Sequence, residues 1–128
     1  MLKEVNPPET TWPGLSQGML IKGRGFFVSG GHCGLDASGD PVTTSMEDQI
    51  VAMFDGLKRT LAQAGLGFEH VARTTCFVRE FSPELLKTIK EVRARYYNSA
   101  CPPASVMVQV GLYDPKLFAE IEVIAGVP

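Results

Sequence analysis

The amino-acid sequence predicts one α+β domain in which two helices cover one face of a mixed β-sheet. A length of 128 residues suits a single hydrophobic core, so residues 1–128 are interpreted as one domain. Runs rich in β-branched residues alternate with two amphipathic segments in the order β-β-α-β-α-β-β. Because each amphipathic segment carries one apolar stripe, both helices are expected on the same face of the sheet.

The first part of the chain is predicted to form an arm and two strands. Residues 1–14 are rich in proline and polar groups and are interpreted as an extended N-terminal arm. Strands are predicted at residues 17–22 and 26–29. The Gly23-Arg24-Gly25 segment between them suits a hairpin turn. A glycine-rich loop over residues 30–40 follows.

The first helix is predicted to begin near Ser45. Asp48 follows Ser45 by three residues, which is close to a capping arrangement. Apolar side chains at helical spacing then share one face: Ile50, Met53, Phe54, Leu57 and Leu61. Gly65 and Gly67 supply the stop, and a β-rich run over residues 70–80 follows.

The second helix is predicted to begin at Ser82, with Pro83 in its first turn and Glu84 near the positive end of the helix dipole. Its apolar face consists of Leu85, Ile89, Val92 and Tyr96. Two consecutive prolines end the segment. Two further strands are predicted over residues 106–110 and 117–125.

The sheet face opposite the helices is predicted to need a cover from another copy of the chain. Apolar residues expected on this face are Val106, Val108, Val110, Ile121 and Val123. They are too many to leave in water, and the sequence offers no further helix to cover them. An oligomer in which sheets of neighbouring copies pack together is therefore expected.

Composition and charge narrow the range of partners. The net charge is −2, with 12 Lys and Arg against 14 Asp and Glu, so no basic excess is available for nucleic-acid phosphates. No apolar run approaches the roughly 18 residues that span a bilayer, and the start lacks a signal-peptide stretch. A cytoplasmic protein with no nucleic-acid or membrane partner is expected. Cys33, Cys76 and Cys101 form no CxxC pair, and with two histidines no metal site is predicted.

Five strings stand in an order and at spacings typical of one known family: Val28-Ser29-Gly30, Gly34-Leu35-Asp36, residues 61–65, residues 74–80 and residues 120–125. Through them the sequence resembles the YjgF/RidA family of reactive intermediate deaminases, formerly called endoribonuclease L-PSP, from about residue 14 to residue 125. The resemblance implies a chorismate-mutase-like fold of the bacillus type and a homotrimer with three clefts between subunits. It also implies hydrolysis of enamines and imines, such as 2-aminoacrylate, without a metal or organic cofactor.

The family's site also implies which residues would act, and one of them is missing. Family deaminases place an arginine after a Pro-Ala pair to grip the substrate carboxylate, and a glutamate to hold water; Glu120 matches that glutamate. Aligning the Pro-Ala pair puts Ser105 at the arginine position, whereas an alignment without a gap puts Ala104 there. Losing such a charged pair costs about 2–3 kcal/mol, or about 100-fold in substrate capture. The sequence therefore indicates a divergent member that does not act on 2-aminoacrylate.

Other positions of the implied cleft differ as well. Leu15 stands in place of a tyrosine, Lys90 in place of an asparagine and Arg93 in place of another tyrosine. Lys90 and Arg93 lie three residues apart on one helix, so either is a candidate replacement cation. Solvated surface charges are the preferred interpretation of both.

His32, in the glycine-rich loop, is the second catalytic candidate beside Glu120, because an imidazole exchanges protons near pH 7. A loop histidine that bonds to backbone is the competing interpretation. Glu120 is expected to orient water, or else to be an edge charge of the sheet. The remaining candidates for contacts with substrate are Ser29, Gly30, Gly31, Cys33 and Met107. Cys33 is also the candidate reactive thiol, whereas Cys76 is predicted to be a small buried hydrophobe.

The leading functional hypothesis is a RidA-like hydrolase or deaminase that acts on a small imine, enamine or related metabolite in an intersubunit cleft. Aminomuconate-type deamination is one variant of it. The alternative is a trimer that binds a small metabolite without turning it over, which the missing arginine favours. A ribonuclease or translation inhibitor ranks third because of the acidic balance. Whether the protein is an enzyme at all stays open at this point.

Overall fold

A computed structural model describes residues 1–9 and 13–128 of the chain. The strands are β1 (Leu2–Val5), β2 (Gly18–Ile21), β3 (Gly25–Val28), β4 (His32–Cys33), β5 (Val71–Val78), β6 (Ala104–Gln109) and β7 (Ala119–Val127). The helices are α1 (Met46–Gln63) and α2 (Pro83–Arg93), with a short 3₁₀ turn at Phe68–His70. The predicted succession of strands and helices is confirmed, and the structure adds β1 and β4 to it.

The main sheet has five strands in the order β3-β7-β5-β6, with β4 also pairing with β7. Strands β5 and β6 are parallel, and every pair that involves β7 is antiparallel. The sheet is therefore mixed, with α1 and α2 packed on one face. This arrangement confirms the α+β class and agrees with the chorismate-mutase-like fold.

Both predicted helix starts are confirmed by their caps. The Ser45 hydroxyl accepts a hydrogen bond from the Asp48 backbone N–H at 3.0 Å, and the Ser82 hydroxyl accepts one from the Leu85 N–H at 3.2 Å. Each cap satisfies a backbone donor that has no partner inside the helix, and is worth about 1 kcal/mol. Gly65 adopts a φ of 71°, in the left-handed region that ends a helix.

The predicted apolar faces of the two helices form the core. Fully or almost fully buried side chains include Ile50, Met53, Phe54, Leu57, Leu61, Leu85, Ile89 and Val92. Tyr96 lies beyond the end of α2, stacks on Phe54 with ring centroids 5.1 Å apart, and donates a hydrogen bond to Asp55. Each buried aliphatic side chain contributes about 1.5–3 kcal/mol, so the helix positions follow from this burial.

The predicted hairpin between residues 17–22 and 26–29 is wrong. Strand β2 pairs with β1, and β3 pairs with β7. The Lys22 N–H donates to the Met1 carbonyl and the Arg24 N–H to the Val127 carbonyl, so the intervening turn carries the chain from one sheet to the other. The segment interpreted as an extended arm contains a paired strand, β1, whereas its residues Thr10, Thr11 and Trp12 lie outside the described residues.

The sheet face away from the helices, here called the open face, is partly as predicted. Val106 and Val108 are 40% and 38% exposed. Ile121 and Val123 were expected on this face, but they are buried on the helix face. They pair in register with Cys76 and Thr74, which are also buried under the helices. The open face carries Phe26 and Val28 instead, at 70% and 69% exposure. An uncovered apolar surface is therefore present, but with different members.

Candidate functional site

The predicted site residues divide between the two faces of the sheet. Ser105 and Met107 on β6 stand beside Thr74 and Cys76, which are buried under the helices. Glu120 on β7 pairs with Phe77, the residue after Cys76 on β5. Because side chains alternate along a strand, its carboxylate lies on the open face. Since side chains alternate along a strand, no rotamer change brings Glu120 to Ser105 within one chain.

The first group of predicted residues lines one cavity of about 550 Å³ between α2, β6 and the loop before β2, here called the α2 cavity. Its lining residues are Leu15, Ser16, Gln17, Leu86, Lys90, Arg93, Ser105 and Met107. Five of them are sequence-predicted site residues. Ala104 does not line this cavity, because it stands beside Arg73, whose side chain is exposed on the other face. Ser105 therefore occupies the cavity position where the resemblance places an arginine.

Arg93 is the half-buried cation of this cavity. Burial raises the pKa of Tyr97 to about 12 and that of Cys76 to about 12, and the positive charge of Arg93 opposes both shifts. The charge of the Arg93 guanidinium is thus near enough to act on Tyr97 and Cys76. Among the residues that the structure describes, no ion pair involves Arg93 or its neighbour Lys90.

The second group, here called the Glu120 patch, consists of Gly31, Cys33 and Glu120. Cys33 pairs directly with Glu120 between β4 and β7. Burial, together with the charge of Glu120 and a hydrogen bond to its carboxylate, raises the pKa of the Cys33 thiol to about 11. The thiol is therefore protonated at neutral pH, which argues against the predicted reactive thiol.

Gly31 is required by its closeness to Glu120. A Cβ at residue 31 would overlap the Glu120 carboxylate, with the Oε1 atom as its nearest neighbour. Gly31 therefore leaves the space in which the carboxylate lies. Gly30 has no such neighbour within 4 Å.

His32 lines a cavity of about 410 Å³ with Gly31 and Cys33, but its ring does not face Glu120. It stands opposite Ile121, so its ring lies toward α1 and away from Glu120. Its Nδ1 lies 3.0 Å from the Gly30 carbonyl and its Nε2 lies 2.7 Å from the Thr60 hydroxyl. Both ring nitrogens are therefore occupied, which favours the structural interpretation of His32 over the catalytic one.

Ser29 also has an internal role. Its hydroxyl accepts a hydrogen bond from the Val123 N–H at 2.8 Å and donates one to the Gly30 carbonyl at 2.8 Å. The side chain is 5% exposed. Ser29 thus links the end of β3 to β7, and its hydroxyl proton is not available for donation to a ligand.

Sequence reasoning missed two residues near the Glu120 patch. Gln49 is buried in α1, and its amide bonds to the carbonyls of Val42 and Lys116 and accepts from the Phe118 N–H, which fixes the entry to β7. A glutamine inside the apolar stripe of a helix was the available signal. Tyr113 is exposed; slight desolvation, then the nearby Cys33, Asp114 and Glu120, raise its pKa.

Two further features bear on ligands. Within residues 1–9 and 13–128, no group of three or more His, Cys, Asp or Glu side chains is arranged to hold a metal ion. Neither helix in the described part of the chain is long and apolar enough to cross a membrane.

The fold and the two groups together define a class: small α+β domains that offer a cavity and a carboxylate on opposite faces of one sheet. The chain belongs to the family described as Endoribonuclease L-PSP, the YjgF/RidA family, whose model matches residues 10–127. A RutC family protein from Synechocystis is 26% identical over 110 residues, 84% of this chain and 83% of its own. Protein DfrA from Myxococcus xanthus is 36% identical over 91 residues, 67% of each chain. The structure of a Rid family protein, YyfB from Yersinia pestis, superposes with a TM-score of 0.87 at 26% identity, covering 98% of both chains.

Proposed function

We propose that the chain is a RidA-like hydrolase of a small imine, enamine or related metabolite, working as a homotrimer with clefts between subunits. The single observation that carries the proposal is the division of the site. The α2 cavity and the Glu120 patch lie on opposite faces of the sheet, so a cleft that uses both needs two copies of the chain.

The open face supplies the surface for that assembly. Phe26, Val28, Val106 and Val108 are exposed on it. Exposure of apolar side chains of this size to water is unfavourable. Burial against a second sheet would stabilise the assembly by about 25 cal/mol per Å² of apolar surface removed from water. Glu120 and Glu122 lie on the same face, so packing there places carboxylates at or near the seam between copies.

Glu120 is the residue that we assign to water. The carboxylate lies beside its register partner Cys33 and against the backbone of Gly31. One carboxylate oxygen orients a water toward the C=N carbon and accepts its proton as the C–O bond forms. Transfer of protons to the nitrogen and cleavage of the C–N bond then release a carbonyl compound and ammonia. The step transfers no electrons, so the proposal includes no redox cofactor.

Freshly generated imino acids test this proposal. An amino acid oxidase supplies them continuously, and the release of ammonia is measured with and without the protein. We expect a rate above buffer that falls about 10²- to 10⁴-fold in Glu120→Gln, as for loss of a general base. The control is Glu122→Gln, two residues along the same face, which should keep the wild-type rate. A rate equal to buffer across acidic and neutral imines would refute the hydrolase.

A metabolite-binding trimer without turnover is the second candidate, and Ser105 is the observation that favours it. The residue that faces the α2 cavity is a hydroxyl and not the guanidinium that family deaminases place there. Stabilisation of the protein by a metabolite, with no turnover and no effect of Glu120→Gln, would support this candidate over the hydrolase.

The cytoplasm is the location that we infer. Cys33, Cys76 and Cys101 are all free thiols, which suits a reducing compartment.

A further inference from the structure

We propose that Arg93 holds the anionic group of the ligand, and that the α2 cavity takes a carboxylate with an apolar body. This inference deepens the proposed function by naming the class of ligand, and it rests on that function only where catalysis is concerned. The cation that the family places on the strand would here come from the helix, across the same cavity from Ser105.

The surroundings of Arg93 differ from those of the other arginines near it. Arg95 is exposed and pairs with Glu47 at 3.0 Å. Arg79 lies 4.5 Å from the centroid of the Phe118 ring and donates to a backbone carbonyl. Arg93 lines the cavity and has no ion pair with any residue that the structure describes. A half-buried guanidinium without a counter-ion is costly, and a bound carboxylate would compensate that cost with two parallel hydrogen bonds.

The rest of the cavity determines what the carboxylate must be attached to. Leu15, Leu86 and Met107 form apolar walls, and a volume of about 550 Å³ is typical of pockets for small molecules. A short acid such as propionate would leave most of these walls wet. A branched or aromatic body would cover them while its carboxylate reaches Arg93.

The cation reaches this cavity from the helix and not from the strand. Arg93 belongs to α2, and its charge acts on Cys76 of β5, so the guanidinium extends toward the sheet. The apolar walls therefore favour longer acids over three-carbon ones such as 2-aminoacrylate.

Binding of an unreactive acid tests the proposal directly. Titration calorimetry compares 3-phenylpropionate, its neutral amide and propionate on the intact protein. We expect the aromatic acid to bind most tightly. In Arg93→Gln its affinity should fall about 10- to 100-fold, the loss of a charged hydrogen-bonded pair, while affinity for the amide is unchanged. Arg93→Lys should retain part of the affinity.

Arg95→Gln is the matched control, because it removes an arginine two residues away that faces Glu47. It should leave all three affinities unchanged. A role of Arg93 limited to the helix end would instead lower the melting temperature of Arg93→Gln without changing binding. Equal binding of acid and amide, no binding of 3-phenylpropionate at millimolar concentration, or an unchanged affinity in Arg93→Gln would each overturn the proposal.

Ser105→Arg tests the proposal by a gain of affinity. Adding a guanidinium to the strand side should improve propionate binding about tenfold relative to 3-phenylpropionate, because a short acid can then be held at the sheet. None of these titrations needs turnover. If Arg93-dependent binding is found but imine hydrolysis is not, the proposed hydrolase is refuted and the anion site is supported. If imines are hydrolysed but the KM for acidic imines is unchanged in Arg93→Gln, the anion site is refuted and the hydrolase is supported.

Discussion

The α2 cavity and the Glu120 patch differ in almost every physical respect. The cavity has apolar walls, carries Arg93 and Lys90, and lies on the helix face of β6. The patch is a carboxylate on the open face of β7, which lies beside the Cys33 thiol and against the backbone of Gly31. One region suits binding and the other suits activation of water, and neither is a complete site.

The separation has an electrostatic reason. If Arg93 and Glu120 shared a face of one subunit, they could form an ion pair and neutralise the two groups that a ligand needs. The alternation of side chains along the strands prevents this within a chain. In the proposed trimer, the two charges would approach each other where two copies meet.

The largest expected effect comes from disrupting the proposed interface between subunits. Val28→Glu places a charge on the exposed apolar face, where burial against another sheet would desolvate it. We expect the trimer to dissociate, with loss of imine hydrolysis, while the helix content stays unchanged. Analytical ultracentrifugation and circular dichroism measure the two outcomes. Lys58→Glu, on the exposed side of α1, is the control that should remain trimeric; a trimeric Val28→Glu protein would remove the structural basis of the comparison.

The next effect is confined to the Glu120 patch. Gly31→Ala puts a methyl group where the carboxylate lies, so Glu120 must move. We expect hydrolysis to fall about 100-fold, since a displacement near 1 Å is enough for that loss, while stability changes little because the displaced atoms end a flexible side chain. Binding of 3-phenylpropionate in the α2 cavity should be unchanged. Gly30→Ala, at a position with no neighbour within 4 Å, should be nearly silent, and an equal loss in both variants would contradict this account.

The smallest effect concerns the pH dependence of Cys33. Only the thiolate is alkylated, and a pKa of about 11 leaves a thiolate fraction on the order of 10⁻⁴ at pH 7. Alkylation by iodoacetamide should be slow at neutral pH and rise about tenfold per pH unit until pH approaches that pKa. Glu120→Gln removes the carboxylate charge, so it should lower the pKa and speed alkylation at pH 8. Peptide mass spectrometry follows Cys33, with Cys101 as the internal reference; fast labelling at pH 7 would break the assigned contact.

The helices, their starts and the class of fold follow from local sequence patterns. Ser45 and Ser82 cap helices where the pattern predicted them, because capping and apolar periodicity are local properties of the chain. The alternation of apolar and acidic residues over 120–123 is also a local property, and it puts Glu120 and Glu122 on one face of β7. Which face that was could not be known, and Ile121 and Val123 were assigned to the wrong one.

The partners of the strands and the members of the α2 cavity and the Glu120 patch depend on how the elements pack together. β2 pairs with β1 and not with β3, and β4 places Cys33 beside Glu120, 87 positions along the chain from it (120 − 33). Arg93 and Ser105 share a cavity because α2 packs over the start of β6. These are non-local pairings, and their register is set by how whole elements pack, so no short stretch of sequence carries them.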